Sequence, residues 1–226
     1  MFDVIRKAEY FECLDKGFAN LQDMSLKGIQ DAWTIAQLHG IRGKRIIEVG
    51  GGDSRVLPML SDNQRWNVDK FEGVGQGPTA INQGDGIEVI RAFFGEFDQR
   101  VPTVDIIFSI SVVEHIPFDG YKDAFADMAR CLAPGGIMYH TVDLPLNDAP
   151  LGQADLRIQG LKNAVEDAGL EWIVAPAIST DLVFESDMAS NSDLTMWSWT
   201  RICDKTKITA PHNQIVSIKL VARKPY

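Results

Sequence analysis

The sequence predicts an α/β protein built on a mostly parallel sheet, and three features of its 226 residues support that class. Apolar runs such as "RIIEV" (45–49) and "VDIIFSIS" (104–111) have the length and composition of buried strands. Segments with apolar residues at helical spacing alternate with such runs over the first 175 residues. Glycine or polar residues follow the strand ends, which is where ligands bind in sheets covered by helices on both faces.

The individual elements are predicted from periodicity and from residues that end helices. Apolar residues at helical spacing from Ser25, closed by Gly40, predict the first helix. The segment "IEVIRAFF" (87–94) fits both a helix and a strand, so its type stays open. The other predicted elements are, in order, strand Arg45–Val49, a short helix at 54–60, a strand in "RWNVDK" (65–70), strand Val104–Ser111, helix Asp119–Leu132 ended by "APGG" (133–136), strand "IMYHTV" (137–142), helix Asp155–Ala168, strand "LEWIVA" (170–175) and a final strand "IVSIKLVAR" (215–223).

Composition limits the classes of function. The chain carries 31 acidic and 22 basic residues, a net charge of -9, which opposes non-specific binding to nucleic acid. Its three cysteines are widely separated and odd in number, so neither a disulfide framework nor a structural zinc site is expected. Neither a signal peptide nor a membrane span is recognisable, and we expect a cytoplasmic protein with a single domain over residues 1–226. The oligomeric state stays open, with a homodimer among the candidates.

The stretch "RIIEVGGGDS" (45–54) combines a carboxylate inside an apolar strand with three consecutive glycines. Glycines at a strand end let a ligand lie against the backbone and leave the following N–H groups free for an anion. The dinucleotide spacing G-x-G-x-x-G fails here, because counting from Gly50 places Arg55 at its last position. The pattern E-x-G-x-G-x-S fits instead, with Glu48, Gly50, Gly52 and Ser54.

Asp69 ends the second predicted strand, 19 positions after Gly50. A carboxylate at that distance can accept hydrogen bonds from both hydroxyls of a ribose. An aspartate that only caps a turn would be the structural alternative. The presence of Asp69 at this distance from the glycine turn favours a nucleoside ligand over that alternative.

The series "IIEVGGGDS", "NVD", "VDIIFSISVVEHI" and "RCLAPGGIMYHTV" resembles the class I S-adenosylmethionine-dependent methyltransferases, in the group with a Glu-His pair after strand four. The resemblance is good over residues 45–144 and holds in outline to residue 223. It implies a Rossmann-like three-layer sandwich with a seven-stranded sheet whose last strand is antiparallel. It also implies S-adenosyl-L-methionine as cofactor, S-adenosyl-L-homocysteine as product, and a small-molecule or sugar-like acceptor methylated on oxygen or nitrogen.

By that resemblance, Glu48 would orient the methionine ammonium and Asp69 would hold the ribose. The segment "FGEF" (94–97) is the nearest match to the family's acidic residue at the adenine amine, with "QGDG" (83–86) as a rival. The implied cofactor-binding residues are Glu48, Gly50, Gly51, Gly52, Ser54, Asp69, Lys70, Glu96, Phe97, Ser109, Ile110 and Ser111.

Three residues are candidates for catalysis on the acceptor side. His115 follows strand four, where it is either a general base or a structural histidine beneath the acceptor. His140 lies in strand five, as a catalytic group or as a packed strand residue. Asp143, just beyond, could bind an acceptor amine, orient a hydroxyl or coordinate a metal, or it could lie in a solvated turn. No spacing indicates a metal site.

Two segments match nothing in the family pattern, the loop at 72–86 and a long stretch at 176–211, and we expect acceptor specificity to reside there. The N-terminal helical region (1–43) and the insertion at 176–211 are the expected acceptor-site elements. The alternative functions are an aminopropyltransferase, because "GGGD" also occurs in that group, and a non-catalytic cofactor-binding protein. A nicotinamide oxidoreductase fits less well, because the glycine spacing fails.

Overall fold

The computed structural model describes residues 4–20, 26–73, 78–82, 84–145, 153–174 and 215–226. Within these ranges the helices are α1 (Lys7–Asp15), α2 (Leu26–Leu38), α3 (Tyr121–Cys131) and α4 (Gln153–Asp167). The strands are β1 (Arg45–Val49), β2 (Gln64–Val68), β3 (Ile87–Ile90), β4 (Val104–Ile110), β5 (Leu132–Pro145), β6 (Glu171–Val174) and β7 (Ile215–Arg223). Short 3-10 helices occupy Leu57–Leu60, Val113–His115 and Phe118–Gly120. The insertion expected at 176–211 lies outside the described residues.

The described strands form one seven-stranded sheet in the order β3-β2-β1-β4-β5-β7-β6. Strands β1 to β5 pair in parallel, and β7 runs antiparallel to both of its neighbours. The strand order reverses beside β1, where β2 continues to one side and β4 to the other. A crevice at the carboxyl ends of the strands is therefore expected at this point.

The central strands are buried on both faces, as a sheet between two helical layers requires. Neighbouring residues of β1 show this, because Ile46 packs with Leu57 on one face and Ile47 packs with Phe125 on the other. Helices α1 and α2 cover the first face, and α3 and α4 cover the second. The predicted Rossmann-like three-layer sandwich is confirmed.

Three connections differ from the predicted elements. The segment left open at 87–94 is a strand only to Ile90, and the residues after it are irregular. The short helix after β1 is a single 3-10 turn at Leu57–Leu60, with Pro58 in its first turn. The segment "APGG" does not separate α3 from β5, because the strand already begins at Leu132. It forms an irregularity in the pairing with β4, made possible by Gly135 at φ +74°.

In the part of the chain that the structure describes, no helix is both long and apolar enough to cross a membrane.

Candidate active site

A cavity of about 930 Å³ opens at the carboxyl ends of β1, β2, β3 and β4. Its wall is formed by Gly50–Gly52 after β1, Asp69 after β2, residues 92–95 after β3, and residues 110–112 at the end of β4. Residues of α2 complete it, with Lys27 and Asp31 at its edge. The volume lies in the range typical of small-molecule sites.

The glycine turn after β1 requires glycine for space as well as for backbone geometry. Gly50 and Gly52 have φ values of +61° and +50°, which side chains disfavour. A Cβ on Gly50 would lie 2.8 Å from Val112, and one on Gly51 would lie 2.7 Å from the carboxyl carbon of Glu48. The backbone therefore lies directly against its neighbours and leaves the cavity open.

Glu48 lies behind this turn, 4% exposed, and still contributes to the cavity wall. The Ser54 hydroxyl donates a hydrogen bond to its carboxylate, and the same hydroxyl accepts one from the Leu57 N–H at 3.0 Å. Burial raises the pKa of Glu48 from 4.5 to about 7, although the Ser54 hydrogen bond partly offsets the rise. A cation entering the cavity would favour the ionised carboxylate.

Asn67, which was not identified from the sequence, fixes the turn from β2. Its side-chain amide donates to the Gly52 carbonyl at 2.8 Å and accepts from the Gly51 N–H at 3.2 Å. The side chain is fully buried. No sequence pattern identifies Asn67, because the position of an asparagine inside a short strand does not show which loop its side chain will contact.

Asp69 connects the turns after β1 and β2. One carboxylate oxygen accepts from the Gly52 N–H at 3.0 Å, and the other accepts from the Phe71 N–H at 2.7 Å. Each oxygen has a second lone pair for a further donor. The structure thus places Asp69 in the cavity wall beside the glycine turn.

The loop after β3 contributes its first residues to the cavity wall. Ala92, Phe93, Phe94 and Gly95 line the cavity, whereas Glu96 and Phe97 are not part of the lining. The strand ends at Ile90, so the chain passes the cavity before it reaches residue 96.

Two of the predicted cofactor-binding residues, Lys70 and Glu96, pair with each other. Glu96 forms an ion pair with Lys70 at 2.7 Å, and the Lys70 ammonium lies 5.3 Å from the centre of the Phe93 ring. Lys70 is also absent from the described lining. Phe93, which no sequence pattern singles out, is the more exposed of the two aromatic residues that this loop contributes to the cavity wall.

At the end of β4 the chain passes from the core to the cavity. Ile110 and Ser111 line the cavity, whereas Ser109 is fully buried and bonds His140 Nδ1 at 2.7 Å. Ser111 has φ +50°, and its hydroxyl lies 2.6 Å from Gln30 Oε1 and 2.9 Å from Asp143 Oδ1. Ser111 is therefore held by α2 and β5 together.

The three candidate catalytic residues occupy different environments. His115 is exposed and lines the cavity. His140 is fully buried, and burial lowers its pKa to about 3, so the ring is neutral at physiological pH. Asp143 is half-buried and does not line the cavity. Its Oδ1 accepts a hydrogen bond from the Gln30 side-chain amide at 2.6 Å. The position of His140 favours packing over catalysis.

Glu114, beside His115, is a further unusual group. Both carboxylate oxygens are buried and make no hydrogen bond of normal geometry among the described residues. Burial and the charge of Asp143 raise the pKa of Glu114 to about 8, and nearby backbone N–H groups of Glu114 and Asp143 only partly offset this. Glu114 is thus mostly protonated at neutral pH. The described residues contain no group of three or more His, Cys, Asp or Glu side chains that could hold a metal ion.

Comparison with known proteins identifies the family. The model of a family described as a methyltransferase domain matches residues 27–209, more than half of the chain. No curated protein matches the sequence.

Solved structures with low sequence identity share the fold. An S-adenosylmethionine dependent methyltransferase from Mesorhizobium loti has a TM-score of 0.53 at 15% identity, covering 85% of this chain and 97% of that chain. The N-methyltransferase NodS of Bradyrhizobium japonicum, in complex with S-adenosyl-L-homocysteine, has a TM-score of 0.51 at 14% identity, covering 96% and 100%. A cyclopropane synthase from Mycobacterium tuberculosis has a TM-score of 0.55 at 15% identity, covering 90% and 87%.

These structures differ in the reaction named for them, so the shared fold leaves the acceptor undetermined. The cavity lies where the fold binds its ligand, and the family model extends across it. The chain belongs to the methyltransferase-domain family and is an S-adenosylmethionine-dependent methyltransferase.

Proposed function

We propose that this enzyme methylates an oxygen or nitrogen atom of a small-molecule or sugar-like acceptor. The observation that carries the proposal is the convergence of Glu48, the three glycines and Asp69 on one cavity that His115 also lines. The family match is to methyltransferases, which favours methyl transfer over the aminopropyl alternative.

The residues around the cavity fit the cofactor. Gly50, Gly51 and Gly52 line the cavity without side chains, so the methionine and ribose can lie against their backbone. Glu48 would bind the methionine ammonium, and Asp69 would accept hydrogen bonds from the ribose hydroxyls. Ser54 would hold Glu48 in place, and Ser111 would close the site from β4.

When bound, S-adenosylmethionine supplies a methyl group on a positively charged sulfur, which is open to in-line displacement by a nucleophile. The protein aligns the acceptor and removes a proton where the nucleophile carries one. We assign proton removal to His115, because it is the candidate histidine that lines the cavity. Asp143 would orient the acceptor, whereas His140 would support the strand beneath it.

The test of acceptor chemistry is product analysis with labelled cofactor and a panel of hydroxyl-bearing and amine-bearing compounds, including sugars. The expected product carries the label on oxygen or nitrogen, as mass spectrometry and NMR would reveal. Substituting His115→Asn should lower kcat by about 10²-fold or more if His115 is the base. His39→Asn, at the far end of α2, is the matched control and should leave kcat unchanged. Label found only on carbon, or no transfer to any compound, would contradict the proposal.

We also propose a cytoplasmic location. Cys13 and Cys131 are both buried free thiols, which is compatible with a reducing compartment. Cell fractionation checks this directly, and recovery of the protein in an oxidising compartment would be the opposing result.

A further inference from the structure

The loop after β3 turns sharply beside the cavity and is attached to helix α3. Its residues Phe93 and Gly95 line the cavity, and Phe93 is 42% exposed. Phe97 has a φ value of +54°, which a residue with a side chain disfavours, whereas Gly95 at φ +105° is in a conformation that glycine adopts readily. The loop therefore requires contacts that hold it in this conformation.

The main support is a single buried carboxylate. Asp127 of α3 is 1% exposed, and its Oδ2 accepts hydrogen bonds from the N–H groups of Gly95 and Phe97, each at 2.9 Å. These are the two residues with positive φ values. The carboxylate thus bonds the strained Phe97 and the sharp turn at Gly95 at once.

The charge of Asp127 is balanced on its other side. Its Oδ1 accepts from Arg130 Nε at 2.9 Å and lies 2.7 Å from an Arg130 terminal nitrogen. Arg130 also donates to the Asp98 carbonyl at 3.1 Å, so it reaches the same loop further along. Hydrogen bonds of a buried, paired carboxylate are stronger than those between neutral groups.

The helix leaves little room for another conformation. A Cβ on Gly95 would lie 3.3 Å from the backbone nitrogen of Ala124 and 3.5 Å from the backbone carbon of Asp123. The loop is therefore pressed against α3 on one side and forms the cavity wall on the other. A substitution of Asp127 would therefore shift the loop that forms the cavity wall, although Asp127 itself does not line the cavity.

We propose that Asp127 is a positioning residue for the adenosine end of the cofactor, acting through the Phe93–Phe97 loop. The inference rests on the proposed placement of the cofactor, in which the glycine turn holds the methionine and Asp69 the ribose. The adenine then extends toward the loop after β3, where Phe93 offers an aromatic surface.

Asp127→Asn is the sharpest variant, because it keeps the volume and removes the second acceptor oxygen. The amide can then accept from the loop or from Arg130, but not from both. Asp127→Ala removes both contacts and serves as a second variant. Val165→Ala, a buried position on the neighbouring helix α4, is the control for a general loss of stability.

Calorimetry with two ligands separates positioning from general destabilisation. The probes are S-adenosylhomocysteine and 5′-methylthioadenosine, which keeps the adenosine end and lacks the amino acid. Asp127→Asn should weaken binding of both by the same factor, about tenfold, the size expected for one lost charged hydrogen bond. Val165→Ala should leave both affinities within about twofold, since it lowers stability without moving the loop. Hydrogen exchange at the amides of residues 95 and 97 should accelerate only in the Asp127 variants.

The outcomes are distinct. Wild-type protein that fails to bind S-adenosylhomocysteine would overturn the proposed cofactor placement and this inference with it. Wild-type binding together with unchanged affinities in both Asp127 variants would overturn the inference alone. A loss confined to S-adenosylhomocysteine would also overturn it, because the defect would then lie at the methionine end.

Discussion

The side-chain amide of Gln30 donates a hydrogen bond to Asp143 at 2.6 Å, across 113 positions of sequence. Gln30 is fully buried in α2, and the same amide nitrogen donates to Ser217 at 3.0 Å while its oxygen accepts from Ser111. One glutamine thus joins α2 to Ser111 at the end of β4, to β5 and to β7. Helix α2 is therefore tied by specific hydrogen bonds to the strand end that lines the cavity.

Replacing Gln30 by leucine should destabilise the protein and weaken cofactor binding. The change leaves buried polar groups of Ser111 and Ser217 without this partner, at a cost of roughly 1–3 kcal/mol in the free energy of unfolding. Chemical denaturation measures this loss in the free energy of unfolding. Gln159→Leu, on the exposed surface of α4, is the control and should change stability by less than about 0.5 kcal/mol. Equal stability of the two variants would contradict the described network.

Substituting Gly51→Ala should abolish cofactor binding while Gly84→Ala should not. A Cβ at position 51 would lie 2.7 Å from Glu48 and 2.9 Å from Asn67 Oδ1, so Glu48 or the turn must move. At position 84 the nearest atom would lie at 3.7 Å, an ordinary contact. Calorimetry with S-adenosylhomocysteine checks the pair. If Gly51→Ala bound S-adenosylhomocysteine with normal affinity, the tight glycine turn would not be required for cofactor binding.

The stability of the ligand-free protein should fall as pH rises between about 4.5 and 7 because of Glu48. Its pKa in the folded protein is raised to about 7, above the ordinary 4.5, so the folded state holds a proton that the unfolded chain releases across this window. The loss in the free energy of unfolding, at 1.36 kcal/mol per pH unit, approaches about 3 kcal/mol near pH 7.

Thermal unfolding of the wild type and of Glu48→Gln across this pH range measures the effect. In Glu48→Gln, stability should no longer fall with pH on account of residue 48. The pH dependence that comes from Glu114, whose pKa is also raised, should remain. Identical slopes for the two proteins would show that Glu48 does not titrate in this window.

Cofactor affinity should have the opposite pH dependence. The ammonium of the bound methionine favours the ionised form of Glu48, so binding releases a proton below pH 7. The affinity for S-adenosylhomocysteine should therefore increase with pH toward about 7, by at most about tenfold per unit. Calorimetry in buffers of different ionisation enthalpy detects the released proton. An affinity that is independent of pH from 5 to 7 would argue against contact between Glu48 and the ammonium.

The sequence was most informative where one local pattern determines one local structure. Strands β1 and β4 are mostly buried runs, and Gly50 and Asp69 lie directly at strand ends, so their positions followed from the chain itself. The choice of "FGEF" relied on a matching carboxylate, whereas the length of β3 decides that residues 92–95 line the cavity.

Other parts of the site depend on distant pairings that no local pattern reveals. Gln30 looks like an ordinary polar position of a helix until α2 is placed across the ends of β4 and β5. Asp127 likewise reads as a solvated helix residue, yet it is buried because the loop after β3 folds over it. Such residues become visible only when the sheet order is known.

The most direct test of the account is the binding of S-adenosylhomocysteine to wild-type protein and to Asp69→Ala, measured by calorimetry. Asp62→Ala is the control, since Asp62 lies in the loop before β2, at the opposite end of the sheet. We expect one molecule bound per chain, a loss of about tenfold or more in affinity for Asp69→Ala, and no change for Asp62→Ala. Absence of binding to the wild type, or equal affinities for all three proteins, would contradict the assignment of this cavity as the cofactor site.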